Sequence, residues 1–232
     1  MGINIQGRTR FGPGVVRDGI FLMLDAANTR SYPGTGSNWF DLVGGRTAQK
    51  AGSQAPTYPQ YNASKYFTFA GGVASDNYSR FDVGGIPSFA ALSAIAVYRT
   101  TDVSASKTIL RMSNSDFELS VNGSSSLFIS AGTNWSDINV QTTQSNATDG
   151  AWHQIGFTFD GQNLTGYFDS IQVGLTTRLS STTTAAGILR IGTRDDANNQ
   201  HFIGDIALIS LYNRVLTGAD MVQNFGAFKA RL

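Results

Sequence analysis

The sequence predicts an all-β protein, an antiparallel β-sandwich with an extended N-terminal arm and a short C-terminal helix. Three observations lead there. First, residues 152–174 read WHQIGFTFDGQNLTGYFDSIQVG, where His153, Ile155, Phe157 and Phe159 share one parity and Gln154, Gly156, Thr158 and Asp160 the other. That is the period of a strand with one buried face. Second, Asp160-Gly161 and Asp169-Ser170 mark tight turns, so three consecutive strands make an antiparallel meander. Third, 26 glycines and 15 phenylalanines accompany only 14% charged residues, the mixture of many strands joined by short turns. A chain of 232 residues suits one such domain, because all-β units reach roughly 200–250 residues.

Taken from the start, residues 1–17 lack periodicity and hold Arg8, Arg10, Pro13 and Arg17, which predicts an extended arm. Such an arm is either a frayed terminus or a segment that lies on a neighbouring subunit. Residues 18–232 then form the folded domain. Ile20 to Leu24 is the first core strand, followed by an irregular loop from Asp25 to Asn38 and by Trp39-Phe40. Tyr66 to Phe69 is a strand, and Ala90 to Thr100 is apolar enough to be buried on both faces as a central strand. Shorter strands are expected at Thr108–Met112, Phe117–Val121, Ser126–Ala131 and Ile138–Thr143, with Asn122-Gly123 as a turn. The Ser180–Thr184 run reads as a loop or edge, and Leu189–Ile191 and Ile206–Tyr212 close the sandwich. Only the end is helical, over about 217–229. Thr217 caps it, Asp220 completes a capping box, and Met221, Val222, Phe225 and Phe228 supply its apolar face.

Composition narrows the chemistry. A net charge of +1 gives neither a nucleic-acid footprint nor a funnel for acidic substrates. Cysteine is absent, so disulfides, thiolate metal sites and cysteine nucleophiles are excluded. No apolar run approaches the roughly 18 residues of a membrane span, and the opening MGINIQGRTRFGPGVV lacks the apolar core of a secretory signal. Glu118 is the only glutamate, and His153 and His201 are the only histidines. His153 falls on the apolar face of its strand and reads as a satisfied core histidine, while Glu118 alternates outward. A glycosidase needs paired carboxyls, so no catalytic residue is assigned and the expectation is a protein that is not an enzyme.

Candidate binding residues lie in polar loops. Asp195, Asp196 and Asn199 sit in the densest of them, and Asp76-Asn77 in another. Oxygen ligands at such spacing suit calcium, although Asp/Asn-rich loops are also ordinary solvated turns. Trp135 stands among polar neighbours, either as a platform for a sugar ring or folded back over a sheet edge. Trp39 and Trp152 precede strands and are expected in the core.

These motifs together resemble the concanavalin A-like lectin/glucanase superfamily, in its laminin G-like branch. The resemblance rests on Trp152-His153 with the alternation after it, on Leu189-Arg190-Ile191-Gly192 followed by Gly204 and Ile206, and on Leu211–Thr217. It covers roughly residues 18–232 and implies a jelly-roll of two antiparallel sheets. The Glu-X-Asp-X-X-Glu strand of the glucanase members is missing, and Ala207-Leu208 replace a frequent acidic pair, so glycanase activity is not implied. Leu24–Gly36 and Val222–Phe225 with Lys229–Arg231 are similar to laminin G-like domains in structural proteins of tailed bacteriophages. This resemblance implies a virion protein, decorating a capsid or forming part of a tail or fibre. It also implies capsid or tail partners, a homo-oligomer or symmetric array, and Arg8, Arg10 and Arg17 as an assembly arm. The alternative is a lectin-like module that attaches to host-surface glycans, with or without calcium.

Overall fold

The computed structural model describes residues 14–51, 55–59, 65–72, 79–104, 106–113, 117–132, 138–194 and 200–231. Two antiparallel sheets and a helix form three layers. In the first sheet, β1 (Ile20–Asp25) and β4 (Phe67–Ala70) both pair with β15 (Ile203–Tyr212), which lies beside β6 (Leu92–Arg99). The sheet continues through β11 (His153–Phe159), β12 (Asn163–Phe168) and β13 (Ile171–Thr177). The second runs β10 (Asn139–Thr143), β9 (Ser126–Ala131), β8 (Phe117–Asn122), β7 (Lys107–Met112), β14 (Gly187–Ile191), β5 (Arg80–Ile86), β3 (Thr47–Ala51) and β2 (Asn38–Phe40). The expected all-β jelly-roll sandwich with a C-terminal helix is what the chain forms.

The middle of the first sheet is buried on both sides, while its edge strand β13 is largely exposed. Along β6, Leu92, Ala94, Ala96 and Tyr98 enter the core between the sheets, while Ile95 and Val97 join a second cluster with Met221 and Phe228. Those last two belong to α1 (Gly218–Lys229), which lies across the outer side of this helix-backed sheet. Alternation therefore gives a strand apolar on both parities, as Ala90–Thr100 predicted. The meander is as expected: Asp169 and Ser170 take φ of 48° and 68° between the paired Phe168 and Ile171. Asp160 turns the chain by accepting from the backbone N–H of Gln162 (2.8 Å) and Asn163 (2.6 Å).

Helix α1 starts as its sequence dictates. The Asp220 N–H donates to Thr217 Oγ1 (3.1 Å), and the Thr217 N–H donates to the Asp220 carboxylate (2.9 Å). Its buried face differs from the expected one. Val222 is exposed and Asn224 is fully buried instead, because Asn224 Oδ1 accepts from the Val16 N–H (3.0 Å) and the Tyr212 hydroxyl (3.4 Å). Burial pushes the Tyr212 phenol up to about 12, so it stays a donor. Residues 14–17, the described part of the arm, thus lie against the chain's own helix, where Gln223 also donates to the Gly14 carbonyl. Arg8 and Arg10 fall outside the described residues.

At the other end of the loop after β1, Tyr32 is a core plug, 4.7 Å centroid to centroid from Phe67, which stacks in turn on Trp39 and Phe81. Trp39 is in the core as expected. Trp152 is only half-buried and packs with Tyr66 and Arg99 on the helix side. No helix among the described residues is long and apolar enough to cross a membrane.

One edge of the sandwich closes by close approach. Val140 of β10 presses into Gly174 of β13, where a Cβ would overlap its Cγ1, and a Cβ on Gly166 would stand 2.9 Å from Ile129 Cδ1. Gly174→Ala is expected to lower unfolding free energy by about 1–3 kcal/mol. Val140→Ala in the same chain should restore part of that loss, read by urea titration. Strictly additive effects of the two substitutions would contradict the contact.

Candidate functional site on the polar-faced sheet

The second sheet sends Phe81, Val83, Leu110, Met112, Leu119, Ile129, Leu189 and Ile191 into the core. The residues between them face the other way. In register across all eight strands stand Asn38, Gln49, Asp82, Arg190, Arg111, Glu118, Ser130 and Asn139. Not one is apolar. A neighbouring row holds Thr108, Ser120, Phe128 and Gln141. This is a file of mixed hydrogen-bond donors and acceptors on one sheet face, with its ends more exposed than its middle.

Ion pairs order the file. Arg80 Nε lies 2.9 Å and Arg190 Nε 3.8 Å from Asp82 Oδ1, and Arg111 Nη1 lies 3.6 Å from Glu118 Oε2. Glu118 does point away from the core, but it is 2% exposed rather than solvated. Its Oε1 accepts from Thr108 Oγ1 at 3.0 Å and from the Ser120 hydroxyl. Asp82 and Glu118 are the two carboxylates of the file, three strand spacings or about 14 Å apart. A retaining glycosidase needs about 5–5.5 Å and an inverting one about 6.5–9.5 Å. Glu118 therefore serves as the acceptor of a buried polar cluster.

Asp76, Asn77, Trp135, Asp195, Asp196 and Asn199 lie outside the described residues. The strands that bear their loops are described. Ile191, which ends β14, pairs with Phe81 near the start of β5, so the loops of Asp76-Asn77 and of Asp195–Asn199 root at one end of the sheet. The Trp135 loop joins β9 to β10 beyond Ala131, which pairs with Phe117 at the opposite end. By register Ala131 is level with Leu189, so Ile191 and Ala131 stand one residue to either side of the row through Arg190, Arg111, Glu118 and Ser130. The two sets thus root on opposite flanks of the polar file.

The histidines are structural. His201 is buried with Nδ1 2.6 Å from Thr193 Oγ1. His153 is 5% exposed, stacked on Phe168, with Nδ1 2.8 Å from Asp169 Oδ2 and Nε2 3.1 Å from Asp149 Oδ1. It is the satisfied core histidine its parity predicted. Among the described residues no group of three His, Asp or Glu side chains is placed to hold a metal.

Residues 71–221 match the family described as the concanavalin A-like lectin/glucanases superfamily, in its laminin G-like form. The chain belongs to that superfamily. Solved structures of similar fold include a Trypanosoma rangeli sialidase in complex with a difluoro-nononic acid, at 14% identity and a TM-score of 0.67, covering 92% of this chain and 33% of that one. Another is botulinum neurotoxin type C, from a study of its interaction with two ganglioside molecules. It is 13% identical with a TM-score of 0.65, over 90% of this chain and 51% of the other. The binding domain of botulinum neurotoxin DC with rat synaptotagmin II is 12% identical, with a TM-score of 0.61 and coverages of 90% and 52%. This concanavalin A-like chain thus spans a third to a half of these proteins, and the likeness is one of fold. No curated protein matches its sequence.

The His153 clamp sets a pH dependence. Burial pulls the imidazole pKa down, but the hydrogen bonds and charges of Asp169 and Asp149 outweigh it, so the net shift is upward from 6.5. A raised folded-state pKa means that the stabilisation is fully present below about 6.5 and is lost as pH rises through the folded value. The stability gap between wild type and His153→Asn, from urea midpoints, should therefore shrink between about pH 5.5 and about pH 8.5. A gap that holds constant or widens would contradict the clamp.

Proposed function

We propose that this domain is a non-catalytic recognition module for glycans, with the outer face of the polar-faced sheet as its docking surface. The observation that carries this reading is the file from Asn38 to Asn139. Sugar hydroxyls both donate and accept, so they suit a surface that mixes amides, guanidinium groups, carboxylates and hydroxyls. The loops of Asp76-Asn77, Asp195–Asn199 and Trp135 root on its two flanks and would border it, the former pair as the place for calcium. Support also comes from the company the fold keeps: a sialidase holding a sugar-acid analogue, and a neurotoxin whose cell entry depends on gangliosides. Against hydrolysis stands Glu118, held by Thr108, Ser120 and Arg111 and lacking a second carboxylate at working distance among the described residues.

A glycan array probed with and without calcium tests this. Binding to at least one glycan class is expected, weakened about tenfold or more by Asp82→Ala and by Trp135→Ala. An array that stays blank under both conditions would defeat the reading.

A second reading is a phage virion component, whose neighbours are capsid or tail subunits in a symmetric array. What favours it is the anchorage of residues 14–17 on α1 through Asn224 and Tyr212, which fixes the point from which residues 1–13 depart. The two segments that resemble phage proteins also meet, since Arg231 pairs with Asp25. On this reading, deleting residues 1–13 leaves the melting temperature unchanged and abolishes incorporation into particles. Normal incorporation would remove the arm from assembly.

A further inference from the structure

A pocket of about 380 Å³ opens between the last turns of α1 and the start of β11. It lies on the helix side of the helix-backed sheet, with the sandwich core between it and the polar file. Val97, Trp152, Phe225 and Phe228 wall it, and Lys229 stands at its side. Gln154 also lines it, although that residue is only 1% exposed.

The Gln154 amide is the anomaly. Neither its Nε2 nor its Oε1 has a hydrogen-bond partner among the described residues. Its neighbours are committed elsewhere: Asp169 Oδ1 accepts from the Gln154 backbone N–H (2.8 Å), and Asp169 Oδ2 contacts His153 Nδ1 (2.8 Å). Buried amides without partners are costly, and each needs an explanation. A leucine would fill the same space without that cost. A pocket walled by aromatic side chains with a few polar groups, here Gln154, His153 and Asp169, is the usual form of a small-ligand site, and this volume is at the lower end of that range.

The geometry points to a second binding site, in which the groove takes one pyranose ring through two adjacent hydroxyls. A primary amide presents an acceptor beside a donor. Both amide atoms are closed to solvent in the groove, so binding turns the side chain toward the ring: one ring hydroxyl then donates to Gln154 Oε1, and the oxygen of the next accepts from Nε2–H. The apolar C–H face of the ring packs on the aromatic side chains, as tryptophan and phenylalanine favour. Lys229, whose Nζ lies 5.6 Å from the Phe225 ring centroid, adds a donor at the rim. This site does not depend on the docking surface proposed above, and either can be present without the other.

The test is an NMR titration of the full ¹⁵N-labelled chain with methyl glucoside, methyl galactoside and methyl mannoside. At least one should shift the Gln154 side-chain amide and the Trp152 indole N–H saturably. Gln154→Leu should weaken that binding about tenfold or more while raising the urea midpoint, because the unpaired amide is gone. Phe225→Ala should weaken it as well, and Asp82→Ala on the distant sheet should leave it unchanged. The inference is overturned if none of the three sugars moves the groove resonances. It is equally overturned if Gln154→Leu binds as the wild type does, or if the amide proves to be satisfied by ordered water alone.

Discussion

Strands β6 and β11 carry no side that faces water: all seven residues of β11 and seven of the eight in β6 are buried. At these strands one side of the sheet meets the second sheet and the other meets α1, so the molecule has three layers there, and the first sheet is exposed chiefly at its β13 edge. Gly156 shows how tight the third layer is. A Cβ there would lie 2.8 Å from the Ala94 carbonyl and 3.0 Å from Met221 Cε, so the helix rests nearly on the strand backbone. The capping box, the Asn224 contacts and the Arg231–Asp25 pair all hold that helix in place. Polar side chains on the covered face must then be satisfied one by one. Ser93, for instance, donates to the Arg214 carbonyl (2.7 Å) and accepts from the Leu216 N–H (2.9 Å).

With the middle of that face closed, the surface proposed for recognition is the second sheet, whose outward residues are polar without exception along one register. Charged groups in the middle of the file are buried, which is tolerable only because they are paired and hydrogen-bonded. Glu118 with Thr108, Ser120 and Arg111 meets that condition. Pairing of this kind holds side chains in fixed positions, which favours a surface that selects among hydroxyl patterns and disfavours one that moves protons. Exceptions to that rule on the covered face are Ser210 Oγ, Asn224 Nδ2 and both polar atoms of the Gln154 amide, and of these residues Gln154 lines the pocket beside α1.

Much of this architecture was readable from residue order where periodicity is strict. His153–Phe159, the two Asp-led turns, the doubly buried Ala90–Thr100 and the Thr217–Asp220 box all have local causes, so their placement needs no knowledge of distant residues. Other elements depend on partners far along the chain. β3 contributes a single buried side chain, Ala48, and β5 is interrupted by Gly84-Gly85 before its last residue, Ile86, so neither announces itself until it is paired. Asn224 looks like a surface residue of an amphipathic helix, and only its contacts with Val16 and Tyr212 explain its burial. The polar file was invisible for a related reason: its eight members are spread from residue 38 to residue 190 and are aligned only by strand register. The loop residues singled out for calcium and sugar binding were chosen on composition, which locates polarity but not convergence. Register shows that the strands bearing them divide between two ends of one sheet.

Native-state amide hydrogen exchange tests the double covering most directly. If the helix-backed sheet is closed on both faces, the amides of Ile95, Val97 and Ile155 exchange only through global unfolding, and those of Met221 to Phe228 open in the same cooperative unit. Exchange of the helix at far lower free energy than β6 and β11, without loss of the sandwich, would contradict the account.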